Sequence, residues 1–164
     1  MRKTFAPLDD VLIERVFQPL SDLMEHRVGV SRATAACFCL DFASLAWIVS
    51  RESGLSDAVA TWEASTAFLD LCLLLLGLAA MIGLRTVFRR AEGKQGNPLR
   101  PAMRPHRAIV LLMLVARLAQ LQAPSLADTA DLTMLAFAAT ALYLGACAER
   151  PPVRRGWSAL APAG

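Results

Sequence analysis

The sequence predicts an all-α, polytopic membrane protein. It reads as four transmembrane helices in an antiparallel bundle, with an amphipathic helix in front of them on the cytoplasmic side. Three observations carry this. Apolar stretches at 33–50, 64–88, 108–123 and 132–148 each approach the roughly 17–25 residues that cross about 30 Å of hydrocarbon. Hydrophobic residues make up 55% of the 164, with a mean hydropathy of +0.44, against about 45–50% apolar in a soluble domain. Basic residues are also spread unevenly. Five Lys or Arg lie in 1–32, seven in 85–107 and three in 150–155, whereas the connections 51–63 and 124–131 hold Arg51 alone. Lys and Arg stay on the cytoplasmic side during insertion. Both termini and the middle loop are therefore expected inside and the two short loops outside, which agrees with four spans. The chain divides into a cytoplasmic segment 1–32, a transmembrane domain 33–148 and a cytoplasmic tail 149–164.

In the N-terminal segment, Leu8, Val11, Leu12, Val16, Leu20, Leu23 and Met24 recur at three- and four-residue steps, with charged residues between them. That spacing predicts an amphipathic helix, kinked or split at Pro19, which lacks a donor and crowds the preceding turn. Gly29 and Ser31 then turn the chain. Interfacial helices carry Lys and Arg towards anionic lipid, but Asp9, Asp10, Glu14, Asp22 and Glu25 make this one acidic. An anionic leaflet repels such a face. The helix is therefore expected to dock on protein, either its own basic loop or a partner, through Leu12, Val16, Leu20 and Leu23.

The first span carries Asp41, and Trp47 with Trp62 suits an outer aromatic belt. The second, the most apolar, carries Asp70. Its Ala79 and Gly83, beside Gly77, have the small-xxx-small spacing that lets helices approach closely. In the loop that follows, Pro98, Pro101 and Pro105 among arginines predict a stiff connector without regular helix. The third span carries Arg117. Ala141 and Gly145 give the fourth a second small-residue pair, and Pro151 and Pro152 end it.

An unpaired charge in hydrocarbon costs at least about 2.5–3.5 kcal/mol, so Asp41, Asp70 and Arg117 should not stand alone. At about 1.5 Å per residue all three fall in one central band. Arg117, whose fork can hold a carboxylate through two donors, is expected to meet Asp41 or Asp70 and to fasten the third span to the first or second.

Little else in the sequence suggests chemistry. Cys37, Cys39, Cys72 and Cys147 lie within spans, form no C-x-x-C pair and read as packing residues rather than metal ligands. His26 and His106 sit at span margins, unlike haem ligands within a bundle, so no cofactor is expected. The H-E-x-x-H, G-x-S-x-G and G-x-x-x-x-G-K-[ST] patterns do not occur, and no enzyme is expected. Among the loop's basic residues only Phe88 could stack on a base, so nucleic acid is not an expected partner. The Ala- and Arg-rich composition and short loops suit a bacterial inner (plasma) membrane. The expected role is a non-catalytic integral subunit or an assembly and scaffold factor of a larger membrane complex, in contact with the bilayer and other membrane subunits. The alternatives are a small transporter or proton- or ion-conducting protein using Asp41, Asp70 and Arg117, and a holin-like membrane effector. The topology has a direct check: a fluorescent protein inserted at Gly96 should fluoresce and alkaline phosphatase at the same site should be inactive, the opposite pattern overturning the orientation.

Overall fold

The computed structural model describes residues 8–60, 64–92, 97–120 and 125–148, and among these every regular element is helical. Residues 8–12 run into a π-helical turn, Ile13–Phe17, and then into α1 (Gln18–Val28). There follow α2 (Arg32–Ala60), α3 (Ala64–Ala91), α4 (Leu99–Ala102), α5 (Arg104–Gln120) and α6 (Leu126–Ala146). Three stretches are long and apolar enough to cross a membrane: Arg32–Glu52 of α2, all of α3 and all of α6. The third apolar stretch of the sequence forms α5, a 17-residue helix with Arg104 and Arg107 in its first turns and Arg117 in its last, and it is not one of those three. Trp62 and the tail 149–164, including Pro151 and Pro152, lie outside the described residues.

The prolines act differently from the sequence expectation. Pro19 does not split the N-terminal helix. It falls in the first turn of α1, directly after the π-turn, where the Gln18 N–H donates to the Ile13 carbonyl. The widened turn absorbs the donor that proline lacks. Gly29, at φ 71°, ends α1 in the left-handed conformation that glycine adopts at least cost. The loop expected to be irregular is partly helical. Pro98 caps α4, Pro101 lies in its single turn and Pro105 is the second residue of α5. The first turn is where proline's missing N–H would have had no partner in any case. Ser125 and Asp128 form a reciprocal capping box at the start of α6.

The long helices pack side by side in the order α3–α2–α6–α5, and α3 shares no substantial packing with α5 among the described residues. The arrangement is a row rather than a closed ring. On α3 the seam towards α2 uses residues three or four apart. Asp70 faces Arg51, the Leu74 carbonyl accepts from Trp47 Nε1 at 3.3 Å, and Gly77 lies against the Trp47 indole. Further along, Met81 Sδ is 3.1 Å from Ser44 Oγ and Arg85 meets Asp41. The core gathers at one end of the row. Ala35, Ala36 and Leu40 of α2, Phe88 and Ala91 of α3, Leu99, and Ala141, Leu142 and Leu144 of α6 form one buried cluster. Small residues bring α2 and α6 together there, and Phe88 closes over the bare Cα of Gly145.

The small-residue positions therefore divide. Gly77, Ala141 and Gly145 lie at close contacts, whereas Ala79 is exposed and a methyl group on Gly83 would meet nothing within 4 Å. Gly145→Val should drive a side chain into the Phe88 ring, which is buried and cannot swing aside. A cost of about 1–3 kcal/mol is expected, read as a lowered unfolding temperature in detergent. Gly83→Ala should leave that temperature unchanged or raise it, since alanine is the better helix former.

Candidate functional site

The densest concentration of charge lies at the end of the row where α2 and α5 begin and α3 and α6 end. Its spacing comes from helix periodicity. Asp10 and Glu14 are four residues apart and share a face, with Asp9 beside them. Arg100, Arg104 and Arg107 straddle the junction of α4 and α5, yet stay on one face. The Met103 N–H donates to the Leu99 carbonyl at 2.9 Å and the Arg107 N–H to the Met103 carbonyl at 3.0 Å, so the helical register runs through.

The two faces interlock. Arg100 Nη2 donates to Asp10 Oδ1 at 3.0 Å and to Glu14 Oε1 at 2.8 Å. Arg104 reaches Asp10 Oδ2 through Nη2 at 2.9 Å and Asp9 Oδ2 through Nε at 3.3 Å. Arg107 grips Asp9 with two parallel bonds, Nε to Oδ1 at 2.9 Å and Nη2 to Oδ2 at 2.6 Å, and Nη2 also donates to the Arg100 carbonyl at 2.9 Å. Asp9 and Arg107 are both 0% exposed. The Arg107 guanidinium lies 5.6 Å from the centre of the Tyr143 ring, and Phe17 stacks on that ring at 4.8 Å and 12°. An aromatic floor from α6 and the π-turn thus shields the fork from water. Burial pushes the Asp9 carboxyl up, but hydrogen bonds and charge from Arg107, and then Arg104, outweigh it and hold it below the ordinary carboxylate value of 3.8.

A second set of contacts closes the C-terminal end of α6, whose last carbonyls have no partners within the helix. Asn97 Nδ2 donates to the Gly145 and Cys147 carbonyls at 2.7 and 2.8 Å, and Arg32 donates to the Cys147 carbonyl as well. The Gln18 amide matches the backbone of Ala148 in both directions, donating to its carbonyl at 2.9 Å and accepting from its N–H at 2.8 Å. Residues 9–18, Arg32, 97–107 and 143–148 thus converge on one polar knot.

The charges singled out within the spans do not meet as expected. Arg117 pairs with neither Asp41 nor Asp70; its Nη2 donates to Asp131 at 3.0 Å. Asp41 pairs with Arg85. Asp70 lies 3.9 Å from Arg51, whose guanidinium sits 4.3 Å over the Trp47 ring. The order of the row is the reason. Arg117 is on α5, beside α6, while Asp41 and Asp70 lie on the seam between α2 and α3. Arg51 and Arg85 reach them from the facing helix along flexible stems. Of the expected docking residues, Leu12 turns inward beside Ile13 and Tyr143, while Val16, Leu20 and Leu23 are exposed. Asp9 and Arg107 were not foreseen as a pair, although five acids in 9–25 facing seven basic residues in 85–107 already signalled attraction.

Among the described residues no three His, Cys, Asp or Glu side chains gather to hold a metal. The four cysteines are free thiols. The chain matches no protein-family model, no curated protein and no solved structure. The knot therefore has to be read from its own geometry, and that geometry is a fastener: carboxylates neutralised by guanidinium groups, over an aromatic floor.

Removing one member of a buried ion pair costs about 3–5 kcal/mol, so Arg107→Met or Asp9→Asn should release the N-terminal helix, seen as faster proteolysis within 8–28. The pH dependence has a fixed sign. Because the folded Asp9 value is depressed, its contribution is complete above 3.8 and is lost as pH falls through the lower folded value. Proteolysis should therefore be slow at neutral pH and accelerate in strong acid, and Asp9→Asn should remove that contribution.

Proposed function

We propose that this chain is a four-span, non-catalytic subunit or assembly factor of a larger membrane complex. α5 serves as the remaining span, and both termini and the arginine-bearing loop lie in the cytoplasm of a bacterial cell. The observation that carries the reading is the position of α3. It stands at the edge of the row, touches α2 along one seam, and has 0% of its most apolar window buried. Its open side carries Ala79 and Gly83, and small residues at this spacing suit the close approach of another membrane helix. The polar knot at the base of the row supports the same reading, since it holds the helices in place without presenting a reactive pair.

Ion or proton conduction is a second reading with one observation in its favour. Asp41 is half-exposed in a groove of about 390 Å³ bounded by Thr34, Cys37, Phe38, Arg89 and Glu92. The groove's lining goes no deeper along α2 than Asp41, however, and Asp41, Asp70 and Arg117 each face an opposite charge. A conduit needs polar groups that continue across the bilayer.

The two readings separate by experiment. The tagged protein, extracted in mild detergent from its native membrane, should carry a stoichiometric membrane partner that Gly83→Leu displaces without lowering the protein's own unfolding temperature. A partner retained by Gly83→Leu would rule out docking on α3. Ion flux in proteoliposomes that Asp70→Asn abolishes would favour conduction.

A further inference from the structure

The N-terminal helix leaves an apolar side uncovered, although Leu12, Phe17 and Met24 also pack inward on the core. Its buried side carries Asp9, Gln18 and Ser21 beside Ile13, and its exposed side carries Leu8, Val11, Val16, Leu20 and Leu23. The π-turn makes this arrangement continuous. Its one extra residue turns everything after it back by about 100° relative to an uninterrupted α-helix. Without that residue Leu20 would lie about a third to a half of a turn from Leu8 and Val11, and Leu23 about a sixth to a third. With it, the apolar residues before and after the turn form one outward stripe, and Asp9, Ile13, Gln18 and Ser21 share the inward side.

Two further observations say what covers the stripe. The first is its level. Phe17 stacks on Tyr143 and Gln18 is bonded to the backbone of Ala148, so the helix lies against the end of α6, where apolar helix gives way to polar chain. Only three residues separate α1 from the start of α2 at Arg32. The second is charge. An acidic helix is repelled by anionic lipid, but Asp9 is buried against Arg107, the more exposed Asp10 and Glu14 are paired with Arg100 and Arg104, and Asp22 accepts from Gln18 Nε2 at 2.9 Å. Arg15 and Arg27 remain exposed. Of the five acids that leaves Glu25, also exposed, against two exposed arginines, so the chain itself offsets the electrostatic objection to a lipid surface.

We propose that the stripe lies in the boundary between headgroups and acyl chains, making the N-terminal helix an interfacial element that rests on the bilayer beside the spans. Three arginines neutralise Asp9, Asp10 and Glu14, which would otherwise help to keep it away. This rests on the reading of the chain as membrane-embedded, and the test separates the two.

The full-length protein is reconstituted in phosphatidylglycerol nanodiscs, with or without bromine on the acyl chains. Tryptophan is introduced singly by Leu20→Trp, Leu23→Trp, Glu25→Trp and Leu76→Trp, and emission is taken as the difference from the parent protein. Leu76 is exposed on α3 and reports the spanning region. The expected result is at least twofold quenching by brominated lipid for Leu20→Trp, Leu23→Trp and Leu76→Trp, and little for Glu25→Trp. Quenching of Leu76→Trp without quenching of either stripe variant overturns the interfacial helix and leaves the spans standing. That outcome would assign the stripe to a protein partner or to water. Quenching of none of them overturns the membrane reading and the proposal together. Equal quenching at Glu25→Trp and Leu23→Trp also overturns it, because the helix would then have no lipid-facing side.

Discussion

The fork between Arg107 and Asp9 is the interaction on which the arrangement of this end of the protein depends. Each ion gives up hydration worth several kcal/mol, and only near-ideal geometry offsets that loss. Here the geometry is a bidentate guanidinium–carboxylate pair with bonds of 2.9 and 2.6 Å, extended by Arg104 on the carboxylate and by the Arg100 carbonyl on the guanidinium. Such a pair tolerates little displacement. It fixes the N-terminal helix in angle and height against α5 and brings Phe17 onto Tyr143. From Tyr143 the constraint passes into α6, whose C-terminal carbonyls are held by Asn97, Arg32 and Gln18.

Away from this knot the helices are held more sparsely. The seam between α2 and α3 relies on Trp47 over Gly77, a Ser44–Met81 contact and ion pairs near its two ends. The link between α5 and α6 includes the Arg117–Asp131 pair, near the end of α5 and the start of α6. The α2–α6 seam is the exception, buried from the knot as far as Ala46 and Ala130, whereas the outer face of α3 is exposed. In hydrocarbon there is no hydrophobic drive to bring helices together, so close backbone approach and polar bonds decide which faces meet. Gly145 receives the Phe88 ring and Ala141 is buried, whereas Ala79 and Gly83 are exposed.

The π-turn ties local structure to surface chemistry. A proline at position 19 leaves a carbonyl short of a donor, and the wider turn just before it accommodates the defect. The same turn rephases the helix so that every apolar residue on its outer side lines up. Docking of the acids and exposure of the stripe are thus two sides of one geometric event.

Much of this was legible in the sequence. The helical class, the apolar stretches behind α2, α3 and α6 and the pull between an acidic segment and a basic loop all follow from local pattern and composition. Such features depend on residues a few positions apart and on the cost of placing them in a given solvent. The order α3–α2–α6–α5, the diversion of Arg117 to Asp131, the inward turn of Leu12 and the helical turns through Pro98, Pro101 and Pro105 were not legible. Periodicity says which residues share a face but not which helix that face will meet, and a long arginine or lysine reaches partners several residues away from its own depth. Pairing also depends on which side chains find room, as where Gly77 receives the Trp47 indole and Gly145 the Phe88 ring across elements far apart in the chain.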